Sequence, residues 1–405
     1  MPTKTALPAV VRDHKAALVP SVVLLGAILL VAANLRPAVT SLGSVLDEVR
    51  TSLHVSPAWA SVLTALPGLC FGLAGFLAPG AARRLGLARA IGVSMVLVTV
   101  GVLVRVLDGP NVVLLGTLVA CGGIAVCNVL LPVVVKQSYP NRIGLVTGLY
   151  TAVLQGAAAL GFLVTPHVDD ALGGWRPGLG EWGLLAVLGT LGWTLAARHG
   201  STGVGRPEVA VAPAPARRSL LRSPLAWAVT LFFGLQSMFA YAVMGWAPEV
   251  LMSGGVSRSG AGAMLAVISV IGVPLSLIVA PLAARQRSQS WWLAGLSAVG
   301  AIGVVGLLVE PSSAPWLWSV TLGIGMGVFP IAVALITLRT TTPDDTRRLS
   351  TMAQGIGYLL AGVGPLLFGI LHGATGGWTA SLLLLLAGIA VQVVVGLFAG
   401  RARFV

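Results

Sequence analysis

Two residues able to do chemistry stand out in the stretch Val31-Ala32-Ala33-Asn34-Leu35-Arg36-Pro37, where Asn34 and Arg36 follow an uncharged run from Ala16 to Ala33. A charged side chain near hydrocarbon is costly unless it faces a watery cavity or a partner, so its presence there points to a functional site. A guanidinium offers a planar fork of donors to an anion, or to an electron-rich planar group such as a nitro or carboxylate. Pro37 lacks an amide hydrogen and clashes with the Ala33 carbonyl, which predicts a kink where the polar residues begin. A kink frees backbone carbonyls and turns side chains toward the bundle interior, where water or a solute satisfies them. Asn34 lies about 200° around the helix from Arg36 and cannot face quite the same direction. A second placement puts Arg36 at the outer interface with its head snorkelling into water. The cavity is favoured, because an arginine on the outer face runs against the positive-inside bias.

Few other polar residues interrupt the apolar runs. Asn128, Tyr150, Gln155, Gln236, Tyr241, Gln354 and Tyr358 form the candidate cavity set. For any single Asn or Gln the alternative is an interhelical hydrogen bond worth about 1 kcal/mol. Trp246 either caps the cavity or belongs to an aromatic belt. No Asp or Glu sits deep in a run, so a buried carboxylate relay is not evident. Glu249 and Asp47, near the outer ends, and His372 are the coupling candidates, with a surface loop the alternative for His372. No phosphate-binding loop is present, which argues against direct ATP drive, and no cofactor is expected. Cys70, Cys121 and Cys127 lack metal-ligand spacing with a histidine and read as packing residues.

The elements that position these residues follow from composition. The 405 residues are 56% hydrophobic and 9% charged, against roughly 25% charged in an ordinary soluble domain. Such a chain belongs in a bilayer. Twelve runs approach the roughly 20 residues needed to span the hydrocarbon, at about 16–46, 58–81, 87–107, 112–135, 144–168, 182–196, 224–251, 260–284, 291–309, 316–338, 349–371 and 380–399. The first run leads into Asn-x-Arg-Pro rather than a cleavage site and is expected to remain as a helix. The net charge of +13 would suggest nucleic acid in a soluble protein, but here it lies in short loops and no nucleic-acid partner is expected. With both ends inside, 20 of the 25 basic residues fall on the cytoplasmic side, and eight of the 12 acidic residues on or near the other. This predicts both termini in the cytoplasm and a multi-pass protein of the plasma (inner) membrane.

The polar segment from Arg198 to Arg222 carries Pro207, Pro213, Pro215 and three glycines and reads as a linker. It divides the chain into an N-terminal six-helix bundle (1–197), a cytoplasmic linker (198–223) and a C-terminal six-helix bundle (224–405). The halves carry a weak repeat, with Lys136-x-x-x-Pro140 against Arg339-x-x-x-Pro343, Pro67 against Pro274 and Pro37 against Pro248. Equal span number and the same orientation in both halves are what parallel transporter repeats produce. Gly156, Gly161, Gly355, Gly357, Gly362 and Gly364 give the fifth and eleventh runs small faces for close helix packing between the halves, and Gly122-Gly123 reads likewise.

This organisation, with the basic loop Gly80-Ala81-Ala82-Arg83-Arg84-Leu85-Gly86, resembles the major facilitator superfamily, although the aspartate expected in that loop is absent. Within it, Asn34–Gly43, Gly144–Tyr150 and Ala332–Arg339 resemble the cyanate and 2-nitroimidazole permeases (CynX/NimT). The resemblance implies an all-α integral membrane fold of 12 transmembrane helices in two pseudo-symmetric six-helix bundles. It also implies a cavity lined by the first, fourth, seventh and tenth spans and flanked by the second, fifth, eighth and eleventh. The expectation is a monomeric secondary transporter, not an enzyme, moving a small anionic or planar polar solute by alternating access. Efflux of drugs or metabolites is the alternative; a membrane enzyme or receptor would require a catalytic cluster or a folded soluble domain.

Overall fold

The computed structural model describes residues 14–139, 142–198 and 220–405. Most of the linker, including Arg206, Arg217 and Arg218, lies outside the described residues. Every regular element among the described residues is helical, as the bilayer demands of a chain whose backbone groups must be satisfied internally. The first six spans contain α1 (His14–Asn34), α2 (Pro37–Ser52), α3 (Pro57–Leu85), α4 (Leu87–Val104), α5 (Pro110–Ser138), α6 (Ile143–Leu172), α7 (Trp175–Gly180) and α8 (Trp182–Arg198). The remainder contains α9 (Pro224–Ser253), α10 (Arg258–Pro274), α11 (Ala280–Ala284), α12 (Ser290–Val309), α13 (Pro315–Met326), α14 (Phe329–Leu338), α15 (Pro343–Thr375) and α16 (Thr379–Ala399). Among the described residues, twelve stretches are long and apolar enough to cross a membrane.

Two spans are broken near their middles. The first separates into α1 and α2 around Leu35-Arg36, a complete break where the sequence predicts a kink. Val39 and Thr40 donate their amides to the Arg36 carbonyl, and the Thr40 hydroxyl reaches the same oxygen. The tenth separates into α13 and α14 at Gly327-Val328, just before Pro330. The proline correspondence between Pro37 and Pro248 does not extend to this feature, since Pro248 lies inside the continuous α9. A π-helical turn at Leu275–Val279 follows Pro274 in the eighth span, an irregularity of the kind proline produces when it removes a helix donor.

The first six spans meet the last six along three seams: α15 on α3, α10 on α6, and α2 on α9. Gly68 and Gly362 set the first, because a Cβ on Gly68 would lie 2.7 Å from the Gly362 backbone. Gly75 faces Gly355 about two turns further along. Gly357 and Gly364 instead pack on α9, against Gly234 and Met238, and Gly161 packs on Pro37 and Thr40. Gly156 and Gly122 have no close neighbour, while Gly123 meets the Ser94 carbonyl. All three cysteines are buried and free.

Candidate solute cavity

The two broken spans face a common cavity. Arg36 and Met244, Tyr241, Ala240 and Ser237 of α9 line it, with Gln155 and Ala158 of α6, Ile268, Ser269 and Gly272 of α10, Met326 and Phe329 at the tenth-span break, and Tyr358 of α15. The cavity is partly open, and the space around these side chains, open solvent at its mouth included, amounts to about 610 Å³. The helix pattern explains the shared face of α9, since Ser237 and Tyr241 are four residues apart.

Arg36 sits among hydroxyls and aromatic rings. Its guanidinium interacts with the phenols of Tyr241 and Tyr358. Among the described residues no carboxylate makes an ion pair with it. Phe71 packs both phenol rings, at 5.9 Å from Tyr241 and 5.3 Å from Tyr358, and Phe233 meets Tyr358 edge-on at 5.0 Å. These contacts fix the tyrosine planes. The Ser237 hydroxyl is buried and has no hydrogen-bond partner.

The half-helices add charge of the same sign as Arg36. Each helix carries its positive dipole end at its start, where the carbonyls of Arg36 and Val328 accept the first available amides. Both helices begin at the cavity, at Arg36-Pro37 and Phe329-Pro330. Arg105 braces α2 from behind. Completely buried, it donates to the Ala38 carbonyl, the Ser41 hydroxyl and the Leu179 carbonyl of α7.

Of the residues singled out by sequence, Arg36, Gln155, Tyr241 and Tyr358 come together here. The others are engaged elsewhere. Asn34 faces away from Arg36, donating to the Leu30 and Leu185 carbonyls at 2.8 and 3.0 Å and so tying α1 to α8. Asn128 donates to the Ile124 carbonyl of its own helix, and Gln354 to the Ser350 hydroxyl. Tyr150 packs at the edge of the core and is not among the lining residues. Gln236 turns into a buried amide network and reaches the Met326 carbonyl at 3.2 Å. Trp246 neither caps the cavity nor joins a belt. It is fully buried, its indole N–H donates to the Pro365 carbonyl at 3.0 Å, and its ring packs on Phe368 and Trp378. A buried indole needs such an acceptor.

The coupling candidates lie outside the cavity. Asp47 pairs with Arg50 at 2.6 Å. His372 is not a loop residue: it stacks on Trp378 with centroids 3.6 Å apart, within α15. Glu249 is buried and its Oε1 has no hydrogen-bond partner; Arg50 and Asp47 are the charges nearest to it.

A bundle of twelve spans around a cation-bearing cavity defines a membrane transporter, and similarity to known proteins fixes the family. The chain belongs to the Major Facilitator Superfamily, whose family model matches residues 23–365. It is 37% identical to the uncharacterized transporter YycB of Bacillus subtilis, over 94% of each chain. It is 34% identical to the 2-nitroimidazole transporter of Escherichia coli, over 94% of this chain and 96% of that protein. The cyanate transport protein CynX of Escherichia coli is 28% identical over 87% and 90% of the two chains. In fold the chain matches the bacterial homolog of the human lysosomal transporter Spinster, with a TM-score of 0.70 at 15% identity, covering 96% of this chain and 98% of that one.

Proposed function

We propose that this protein is a secondary transporter, active or facilitative, that moves a small anionic or planar polar solute, of cyanate or nitroimidazole type, across the plasma membrane. The observation that carries the reading is Arg36, a cation in the cavity with no carboxylate paired to it among the described residues. A guanidinium left without a counter-ion in a low-dielectric site favours an anion, or a planar acceptor matching its fork. The amino-terminal ends of α2 and α14 add to the same preference. Relatives carrying cyanate and 2-nitroimidazole in their names agree with this class. A drug-efflux reading for cations is poorly supported, because no acidic residue lines the cavity among the described residues.

In this proposal the halves 1–197 and 224–405 rock about the cavity as a monomer, with the linker and both termini in the cytoplasm. The excess of basic residues on that side supports the orientation. Glu249 is the favoured coupling residue, on the strength of its unpartnered buried oxygen.

The test is uptake of cyanate, nitrate and 2-nitroimidazole into proteoliposomes by the native protein, Arg36→Lys and Arg36→Ala. Loss of uptake in both variants, by about ten-fold or more, makes the planar guanidinium a solute ligand. Native rates in Arg36→Ala sink the reading.

A further inference from the structure

Proline at position 330 leaves a carbonyl four residues earlier without its helical donor, and that carbonyl belongs to Met326, the last residue of α13. In a bilayer an unpaired carbonyl is expensive. Here the Gln236 side-chain amide fills the gap, donating to the Met326 oxygen at 3.2 Å from α9. Gln236 is in turn fixed by Gln392 of α16, whose amide donates to the Gln236 side-chain oxygen and to the Ser297 hydroxyl of α12, both at 2.8 Å. Ser297 closes the chain on the Leu293 carbonyl at 2.6 Å. Gln236 is 0% exposed, Gln392 1% and Ser297 2%, so water does not substitute for any of these bonds.

Stability alone does not account for this network. The Gln392 side-chain oxygen is buried without a partner, and a partly satisfied buried amide network is worse for stability than an apolar core of the same shape. What the network does reach is the cavity wall: Met326 and Phe329 flank the break and both line the cavity. We infer that Gln236, Gln392 and Ser297 form a latch that replaces the missing Pro330 amide and holds the amino terminus of α14 at the solute cavity. They are positioning residues, and their influence on solute rests on the function proposed above.

The latch makes the break rigid and the cavity pre-organised, so its loss raises the solute concentration required more than it slows the transport cycle. The experiment measures hydrogen–deuterium exchange of peptides covering residues 322–332 in the full-length protein, beside KM and maximal flux for whichever of nitrate, cyanate or 2-nitroimidazole the native protein takes up. Gln236→Leu and Gln392→Leu are expected to speed exchange at the break by about ten-fold and to raise KM by a similar factor, with maximal flux nearly kept. Ser297→Ala, which removes one hydroxyl, does the same to a smaller degree and serves if either leucine variant fails to fold. Adding Pro330→Ala to Gln236→Leu restores the amide and returns exchange toward the native rate. Unchanged exchange in the folded variants overturns the latch, as does faster exchange with an unchanged KM. If the native protein moves none of the three solutes, the functional reading fails while the exchange data still decide the latch.

Discussion

Ser237 illustrates what a single hydroxyl can decide in this cavity. Its oxygen is buried and has no partner among the described residues, and the residue lines the same cavity as Arg36. An orphaned hydroxyl in a transport cavity is suited to meet the solute, and a net hydrogen bond contributes about 0.5–1.5 kcal/mol. Ser237→Ala should therefore weaken binding three- to ten-fold, read as KM in the same uptake assay, and leave thermal stability unchanged or raised. A variant with native KM would remove Ser237 from the solute's contacts. The sequence pointed to the neighbouring Gln236 instead, because a glutamine in an apolar run is conspicuous and a serine is not. Adjacent helix positions differ by about 100°, and apolar periodicity is too weak in a fully buried helix to say which of the two faces inward. Asn34 and Gln354 were conspicuous for the same reason, and both serve helix packing or local bonding. Met326 and Phe329 gave no signal at all, since an apolar residue in an apolar run is inconspicuous and their place in the cavity comes from the break between them.

At the scale of elements, proline was the most legible punctuation. The Asn-Leu-Arg-Pro stretch located the first-span break correctly, though it under-estimated the extent of the discontinuity. Pro330 sits in an equally readable position, and only its partner, Gln236 from another span, lay beyond the sequence. The break at Pro37 makes a direct prediction. Proline disfavours a helix interior by about 3 kcal/mol relative to alanine, so Pro37→Ala permits α1 and α2 to join. Joining them turns Arg36 away from the cavity, against the hold of Arg105 on Ala38 and Ser41. The expected result is a protein that melts at the native temperature or above it while losing most uptake of the anionic probes. Native uptake by that variant would show that the break is not what aims Arg36. The helix count was readable in advance, because span length is a one-dimensional property. The three seams between the halves were less so: glycine-rich faces marked α15 as a packing helix, but small residues alone do not say which neighbour they meet.

At the scale of the whole molecule, charge joins the two halves of the chain on one side. Near the ends of α2, α6 and α10 on the face holding the loop after Ser52, Arg258 bridges Glu48 at 2.8 Å and Asp169 at 2.6 Å. Glu48 also accepts the Trp175 amide at 3.2 Å. Arg258 belongs to the second half of the chain and both carboxylates to the first, so any opening of this face pulls the arginine from its partners. Asp169 is 2% exposed, and stripping a buried carboxylate of its cation costs several kcal/mol. Arg258→Gln removes the cation that ties both carboxylates of the first half to the second, and the loss of that attraction favours separation of the halves. Because Arg258 and Glu48 are partly solvated, we expect a shift of about 1.4–3 kcal/mol, which moves the closed-to-open ratio by ten-fold or more. Glu48→Gln, which keeps the pair of Arg258 with the buried Asp169, should shift it less. Spin labels at Thr51 and Ser253, both exposed at this face, report the change as a second, longer distance population in Arg258→Gln, with Glu48→Gln between it and the native protein. Identical distance distributions in all three proteins would mean that the glycine seams, rather than the ion cluster, hold this face shut.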